Sequence, residues 1–292
     1  MDKHTPAITQ KQVAAFLKPR PRDSHKGMFG TVAIIGGARG MLGAPLLAAR
    51  AALKLGAGCV HVGLLTENAP LVDTVQPELM LHNAPDTLRI PGLDVIAIGC
   101  GMGTSITAQK LLLDAIKLDV PLVLDADALN LLARHADLQE DVRARNAATV
   151  ITPHPGEAAR LLGLGTGHVQ AAREEAAYQL MERLHCTVVL KGADSICITR
   201  DGKTWLNRTG NPGMSSAGMG DALTGMIAAL IAQGLSADQA VLLAVHLHGA
   251  AGDALAQQRA TIGMSATEVI EWSRWLLNNW IAQRQPPGKK QY

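Results

Sequence analysis

A chain of 292 residues, 48% hydrophobic and 18% charged, can bury a large core and fits one large globular domain or two small ones. Its net charge of +2 argues against nucleic-acid binding as the main task, because only Lys289-Lys290 is locally basic. No stretch approaches the ~20 apolar residues of a membrane span, no signal-peptide core is present, and Cys59, Cys100, Cys186 and Cys197 form no CxxC pair. A cytoplasmic protein with buried free thiols is expected.

In chain order, Thr9 to Leu17 predicts a short helix, broken by Pro19-Arg-Pro21. Thr31-Val-Ala-Ile-Ile35 predicts a buried strand closed by Gly36-Gly37. Gly40-Met-Leu-Gly43 then leads into a helix over Leu46 to Leu55, stopped by Gly56-Ala-Gly58, and Cys59 to Leu65 is the next strand. This strand–helix–strand unit has the length of a parallel crossover.

The alternation continues. Strands are expected at Asp94–Ile98, Pro121–Leu124, Thr149–Ile151 and Thr187–Leu190, with helices at Ala108–Leu118, Ala128–Ala133, after Glu157, and at Gln170–Leu184. Ser195–Thr199 and Lys203–Asn207 read as a hairpin with Asp201-Gly202 in its turn. Three helices follow at 221–233, 237–257 and 265–281. No repeat or linker is visible, so the expectation is an N-terminal segment over 1–24, one α/β domain over 25–282, and a disordered tail over 283–292.

Open α/β sheets bind ligands outside the carboxyl ends of their strands, and those ends carry nearly all the glycine- and acid-rich motifs here. Gly36 to Gly43 lines a site but lacks the Gly-x-Gly-x-x-Gly spacing of a dinucleotide fingerprint. Gly99-Cys-Gly-Met-Gly103 is either a tight turn or a close backbone approach to a ligand. In Asp125-Ala-Asp127, the second acid is expected to cap the following helix and the first stays open between structural and metal roles.

His154, stiffened between Pro153 and Pro155, is a contact candidate. Glu157 either pairs with a helix dipole or reaches magnesium through water. Lys191 is placed to touch phosphate, with small Gly192 and Ala193 leaving room for a base or sugar. His246 and His248 are read as structural.

The most informative stretch is Asn211-Pro-Gly-Met-Ser-Ser-Ala-Gly-Met-Gly-Asp221, a polar glycine-rich loop running straight into an apolar helix. Free N–H groups at a helix start favour an anion, and a lone acid beside them reads either as a helix cap or as a base for a hydroxyl.

Together, Lys26-Gly27, Ile34-Ile-Gly-Gly37, Gly43-Ala-Pro45, Leu53-Lys-Leu-Gly-Ala-Gly58, Asp125-Ala-Asp-Ala-Leu-Asn130, Thr152-Pro-His-Pro-Gly-Glu157, Lys191-Gly-Ala-Asp194 and Asn211 to Asp221 resemble one family. It is that of the ADP-dependent NAD(P)H-hydrate dehydratases, of the ribokinase-like superfamily. The resemblance covers roughly residues 25–280. It implies a three-layer α/β/α fold with a mostly parallel sheet.

The reaction implied is repair of hydrated NADH or NADPH. Water is removed from the S epimer of NADHX or NADPHX while ADP becomes AMP and phosphate, with magnesium present. By the resemblance, Asp221 takes the hydroxyl proton, and Gly218, Met219 and Gly220 form the anion hole. Ala44, Gly103 and His154, with Asp221, contact the hydrated substrate. Lys191, Gly192, Ala193, Asp194 and Ser195, with Gly220, hold the nucleotide, and Glu157 positions magnesium through water. Met219 stands where many relatives have Thr or Ser. A separate epimerase and a homo-oligomer, a tetramer, are also implied. The alternatives are a ribokinase-like small-molecule kinase using ATP and a non-catalytic nucleotide-binding protein.

Overall fold

The computed structural model describes residues 5–258 and 261–284. Its elements in chain order begin with α1 (Gln10–Ala14), a 3-10 turn at Lys26–Phe29, β1 (Thr31–Gly36), α2 (Gly43–Lys54), β2 (Cys59–Leu64) and β3 (Met80–Asn83). Next come α3 (Ala84–Thr87), β4 (Val95–Ile98), α4 (Ile106–Ile116), β5 (Leu122–Leu124), α5 (Asp127–Arg134) and α6 (Ala136–Arg143). The chain continues with β6 (Thr149–Ile151), α7 (Pro155–Leu162), α8 (Thr166–Ala171), α9 (Arg173–Leu184), β7 (Thr187–Leu190), β8 (Ser195–Ile198) and β9 (Thr204–Asn207). A 3-10 turn at Pro212–Met214 precedes α10 (Met219–Ala232), α11 (Ala237–Gln258) and α12 (Ala266–Gln283).

The nine strands form one sheet in the order β3-β2-β1-β4-β5-β6-β7-β8-β9. Pairing is parallel from β3 through β7 and antiparallel for β7–β8 and β8–β9. Central strands such as Val95–Ile98 are buried on both faces, which is why they read as continuous apolar runs rather than alternating ones. One apolar layer, under α1, α2, α10, α11 and α12, covers one face, and a second, under α4 to α9, covers the other. The result is three layers.

Three elements were not legible in the sequence: β3, the one-turn helix α3 and α6. β3 is a half-exposed edge strand without a β-branched residue, and α6 carries more charge than apolar surface. The expected helix over Gln170–Leu184 is two helices, because Ala172 leaves helical geometry at φ −138°, ψ 55°. The hairpin forms as expected, with Gly202 at φ +82° in its turn.

The N-terminal segment packs into the domain where it is described. Ile8 N donates to Leu206 O and Leu206 N to Pro6 O, both at 2.9 Å, extending the sheet beyond β9. Arg284, just past α12, donates to the Leu17 carbonyl at 2.8 Å. The expected disorder of the tail falls, beyond Arg284, outside the described residues. Among the described residues no helix is long and apolar enough to cross a membrane, and all four cysteines are free thiols.

Strand order reverses direction between β1 and β4, which opens a crevice at their carboxyl ends. Backbone bonds tie these ends into one rim: Gly37 N to Cys100 O at 3.2 Å, Ala38 N to Gly101 O at 2.7 Å, and Lys191 N to Pro153 O at 2.8 Å. Above the rim, α10 crosses α2 so closely that a methyl group at Gly225 would lie 1.9 Å from Ala48 O.

Candidate functional site

Helix α10 starts at the rim with no side-chain cap; its N-cap is Gly218, in the left-handed region at φ +88°. The amides of the first turn therefore have no intrahelical acceptor and stand ready for an anion. The loop before it is anchored from α11 and beyond. Asp253 accepts from Gly210 N at 2.9 Å and from Asn211 Nδ2 at 3.0 Å, and Ser216 Oγ donates to Met264 O at 2.9 Å. Met219 turns its side chain into the core, so only its backbone faces the site.

Asp221 occupies the third position of α10 rather than its cap. Its carboxyl lies beside the buried Cys100 thiol, two residues past β4, close enough for the pair to act on each other's pKa. Burial, then the charge of Asp125, raise the Asp221 pKa above the ordinary value, against the opposing pull of Cys100 and Lys191. Of the two readings the sequence left for this residue, the helix cap is not formed. A carboxyl held in a half-dry cleft with a raised pKa has the character of a general base or acid.

Behind it sits a buried ion pair. Lys191 Nζ contacts Asp125 Oδ1 at 2.6 Å, and Thr224 Oγ1 of α10 donates to Asp125 Oδ2 at 2.9 Å. Burial pulls the Lys191 pKa down, but Asp125 and Glu157 outweigh it and leave the ammonium more firmly protonated than usual. A methyl group at Gly220 would lie 3.3 Å from Lys191 Nζ, so the ammonium stands close against the first turn of α10. Asp125 follows β5, and the next residue, Ala126, takes φ +50°, a conformation that costs a side-chain-bearing residue.

His154 is the N-cap of α7. Its Nδ1 accepts from Gly156 N at 3.0 Å and Glu157 N at 3.3 Å, while Glu157 accepts from His154 N at 2.7 Å and faces His154 Nε2 at 3.3 Å. Burial first, then the charges of Lys191 and Arg160, lower the His154 pKa, so the ring is neutral with its proton on Nε2. Burial raises the pKa of Glu157.

Asp127 is the first residue of α5 and caps nothing. Its Oδ2 instead accepts from Gly103 N at 2.9 Å, which corrects the expected helix cap. Ala44 lies in the first turn of α2, where its Cβ is 3.2 Å from a methyl position built at Gly101.

Gly192 to Ser195 form a tight turn after β7, with Ser195 Oγ donating to Gly192 O at 3.0 Å and Asp194 at φ +54°. Arg173 of α9 clasps this turn, donating to Leu190 O at 3.2 Å, Lys191 O at 3.3 Å and Ala193 O. Sequence reasoning missed Arg173, Cys100 and Thr224. Only Cys100, flanked by Gly99 and Gly101, carried a local signal.

Asp221, Gly220, Lys191, Asp125 and Cys100 are thus one cluster. Ala44 and Gly103 line the β1 and β4 side, and His154 with Glu157 lies on the β6 side. His246 packs against Trp280, its ring centroid 5.9 Å away. His248 is buried near enough to Lys191 for burial and that charge to hold its pKa down to about 4.

Comparison with known proteins gives this site a family. The sequence profile described as NAD(P)H-hydrate dehydratase matches residues 32–274. The ADP-dependent (S)-NAD(P)H-hydrate dehydratase of Neisseria meningitidis is 40% identical over 265 residues, 89% of each chain. The bifunctional NAD(P)H-hydrate repair enzyme of Escherichia coli is 41% identical over 281 residues, 95% of this chain and 53% of its own. The chain therefore spans about half the length of the bifunctional relatives it matches. The fold matches the Bacillus subtilis ADP/ATP-dependent NAD(P)H-hydrate dehydratase, co-crystallised with ATP and Mg2+, at a TM-score of 0.85 and 31% identity, covering 95% of this chain and 99% of that one. The ribokinase-like three-layer fold expected from the sequence is the one present. The chain belongs to the NAD(P)H-hydrate dehydratase family.

Proposed function

We propose that this chain removes water from the S epimer of hydrated NADH or NADPH, converting ADP to AMP and phosphate and releasing NADH or NADPH. Hydroxide is a poor leaving group, so the substrate hydroxyl is phosphorylated first and leaves as phosphate. Asp221 takes the hydroxyl proton, and the amides of Gly218, Met219 and Gly220 hold the phosphoryl group in flight. The observation that carries this reading is the uncapped start of α10, which brings a free-amide turn, a raised-pKa carboxyl and the Lys191 ammonium to one point.

Ala44, Gly103 and His154 would meet the hydrated ring, and Lys191 to Ser195 with Gly220 the nucleotide. The Arg173 clasp supports the second assignment, because it fixes the turn that would cradle the nucleotide. Among the described residues no three His, Cys, Asp or Glu groups converge as a metal cage. Asp125 is taken up by Lys191 and Thr224, and Glu157 by His154. That donor set fits magnesium that keeps its waters and rides on nucleotide phosphates, with Glu157 reaching it through water. Bound there, magnesium would neutralise phosphate charge. Localisation in the cytoplasm, a separate epimerase partner and a tetrameric assembly belong to the same reading.

The test is direct. The protein is incubated with hydrated NADH, magnesium and either ADP or ATP, and the return of reduced-nicotinamide absorbance is followed together with the nucleotide product. Recovery with ADP, lost in Asp221→Asn, supports the reading; no recovery with either nucleotide overturns it.

A further inference from the structure

Two arginines with no role so far, Arg160 and Arg134, are hydrogen-bonded to the surroundings of the Gly103 loop, and Arg39 is one residue from a third contact with it. Arg160 of α7 gives its Nε to Asn130 Oδ1 at 2.9 Å. Asn130 Nδ2 donates to Asp127 Oδ1 at 3.2 Å, and Asp127 Oδ2 accepts from Gly103 N at 2.9 Å. Three hydrogen bonds thus connect this guanidinium to the Gly103 amide. On its other side, a methyl group at Gly156 would lie 2.9 Å from His154 Cε1 and 3.8 Å from Arg160 Nη1. Guanidinium and imidazole therefore flank one glycine.

Arg134 of α5 donates to Thr104 Oγ1 at 3.2 Å, one residue past Gly103. Arg39 follows Ala38, whose Cβ lies 3.6 Å from a methyl position built at Gly103. All three arginines are exposed, and among the described residues none forms an ion pair with a carboxylate. Two guanidinium groups without a carboxylate ion pair, those of Arg160 and Arg134, thus stand at one loop, and Arg39 neighbours it along the chain. Arg160 is the best prepared of them. Its stem is pinned at Nε, and its Nη groups have no protein partner among the described residues, which presents a fork to phosphate oxygens.

We propose that Arg160, with Arg134 beside it, binds the diphosphate bridge of the dinucleotide substrate while the hydrated ring lies at Asp221. This rests on the dehydratase reading above. It separates two anion sites on one cleft: the α10 amides with Lys191 serve the phosphoryl group being transferred, and the arginines serve phosphates that do not react. A contact to such a non-reacting part is made alike in the ground and transition states, so it sets KM rather than kcat.

The test compares wild type, Arg160→Ala, Arg160→Lys and Arg134→Ala, each checked by thermal melting. Equilibrium binding of NADH is followed by its fluorescence, and turnover of hydrated NADH is measured at saturating ADP. Loss of a charge-assisted phosphate contact predicts a Kd for NADH and a KM for the hydrate raised about tenfold or more in Arg160→Ala, with kcat and the KM for ADP little changed. Arg160→Lys recovers part of the loss, and added salt weakens NADH binding less steeply in Arg160→Ala than in wild type. Unchanged NADH binding in a folded Arg160→Ala that still turns over overturns this inference alone. A loss appearing in the KM for ADP instead also overturns it, by assigning the arginine to the other nucleotide. A wild type that neither binds NADH nor dehydrates its hydrate sinks the functional reading and this inference with it.

Discussion

The Cys100 thiol lies beside the Asp221 carboxyl, where the segment after β4 meets the first turn of α10, and each shifts the other's pKa. Burial pushes the thiol's own pKa well up, so it stays an S–H donor throughout the neutral range. Its presence pulls down a carboxyl pKa that burial and Asp125 otherwise raise. Cys100→Ala removes the donor, so Asp221 gains protons at higher pH. The acidic limb of kcat/KM is expected to move toward neutrality while the plateau above it is kept. Cys100→Ser retains a donor and the original limb. A limb unmoved in Cys100→Ala would show that the thiol does not act on the base.

Asp221 also bears on stability. Its folded pKa is raised, so between the ordinary carboxylate range and that raised value the folded state binds more protons than the unfolded one. Stability therefore falls as pH rises through that window, and at neutral pH the fold carries the cost of ionising a partly buried group. Asp221→Asn removes this cost. The variant is expected to lose turnover yet resist urea better than wild type at pH ~7, with the gain vanishing in acid below the ordinary carboxylate range. A variant less stable at neutral pH would show that the carboxylate holds the α10 start together instead.

How much of this was legible in the sequence follows from where the information lay. The parallel sheet announced itself because strands such as Val95–Ile98 are buried on both faces and must be apolar throughout. Edge strand β3, half exposed, had no such constraint. Motifs at strand ends located Asp221, Lys191 and His154, since glycine, proline and acid are unusual there together. The partners were hidden because they come from distant positions: Thr224 reaches Asp125 across 99 residues, and Arg173 meets the turn after β7 only because α9 packs beside it. Asp127 was misread for the same reason. Local spacing made it a cap, whereas Gly103, 24 residues earlier, supplies its partner.

The Lys191–Asp125 pair predicts a one-sided response to mutation. Asp125 is 2% exposed and keeps only the Thr224 hydroxyl if the ammonium is removed. Lys191→Met is therefore expected to cost about 3–5 kcal/mol in urea unfolding, because a buried charge loses its counterion. Adding Asp125→Asn should return much of that loss. The pH dependence has a definite sign. A lysine whose folded pKa is raised contributes stability below the ordinary lysine range and gives it up as pH rises through the folded value. Wild type should thus weaken in strong alkali more steeply than Lys191→Met. Equal slopes would remove the pair from the stability account.

His154 combines a cap and a proposed contact, and substitution can part them. Its Nδ1 accepts two amides of the first turn of α7, so His154→Ala should cost about 1 kcal/mol. Asparagine also caps helices, so His154→Asn is expected to recover most of that stability without the imidazole of the proposed contact. The KM for the hydrate should then stay raised in His154→Asn although the fold is restored. Acid gives a second handle. Burial, with Lys191 and Arg160, lowers the His154 pKa, so the unfolded chain takes up this proton first, and stability is withdrawn as pH falls below the ordinary histidine range. Protonation also converts Nδ1 from acceptor to donor against the two amides it caps. The acid loss should therefore be smaller in His154→Asn, whose cap does not titrate. If His154→Asn restored both the melting curve and the KM, the histidine would be a cap and nothing more.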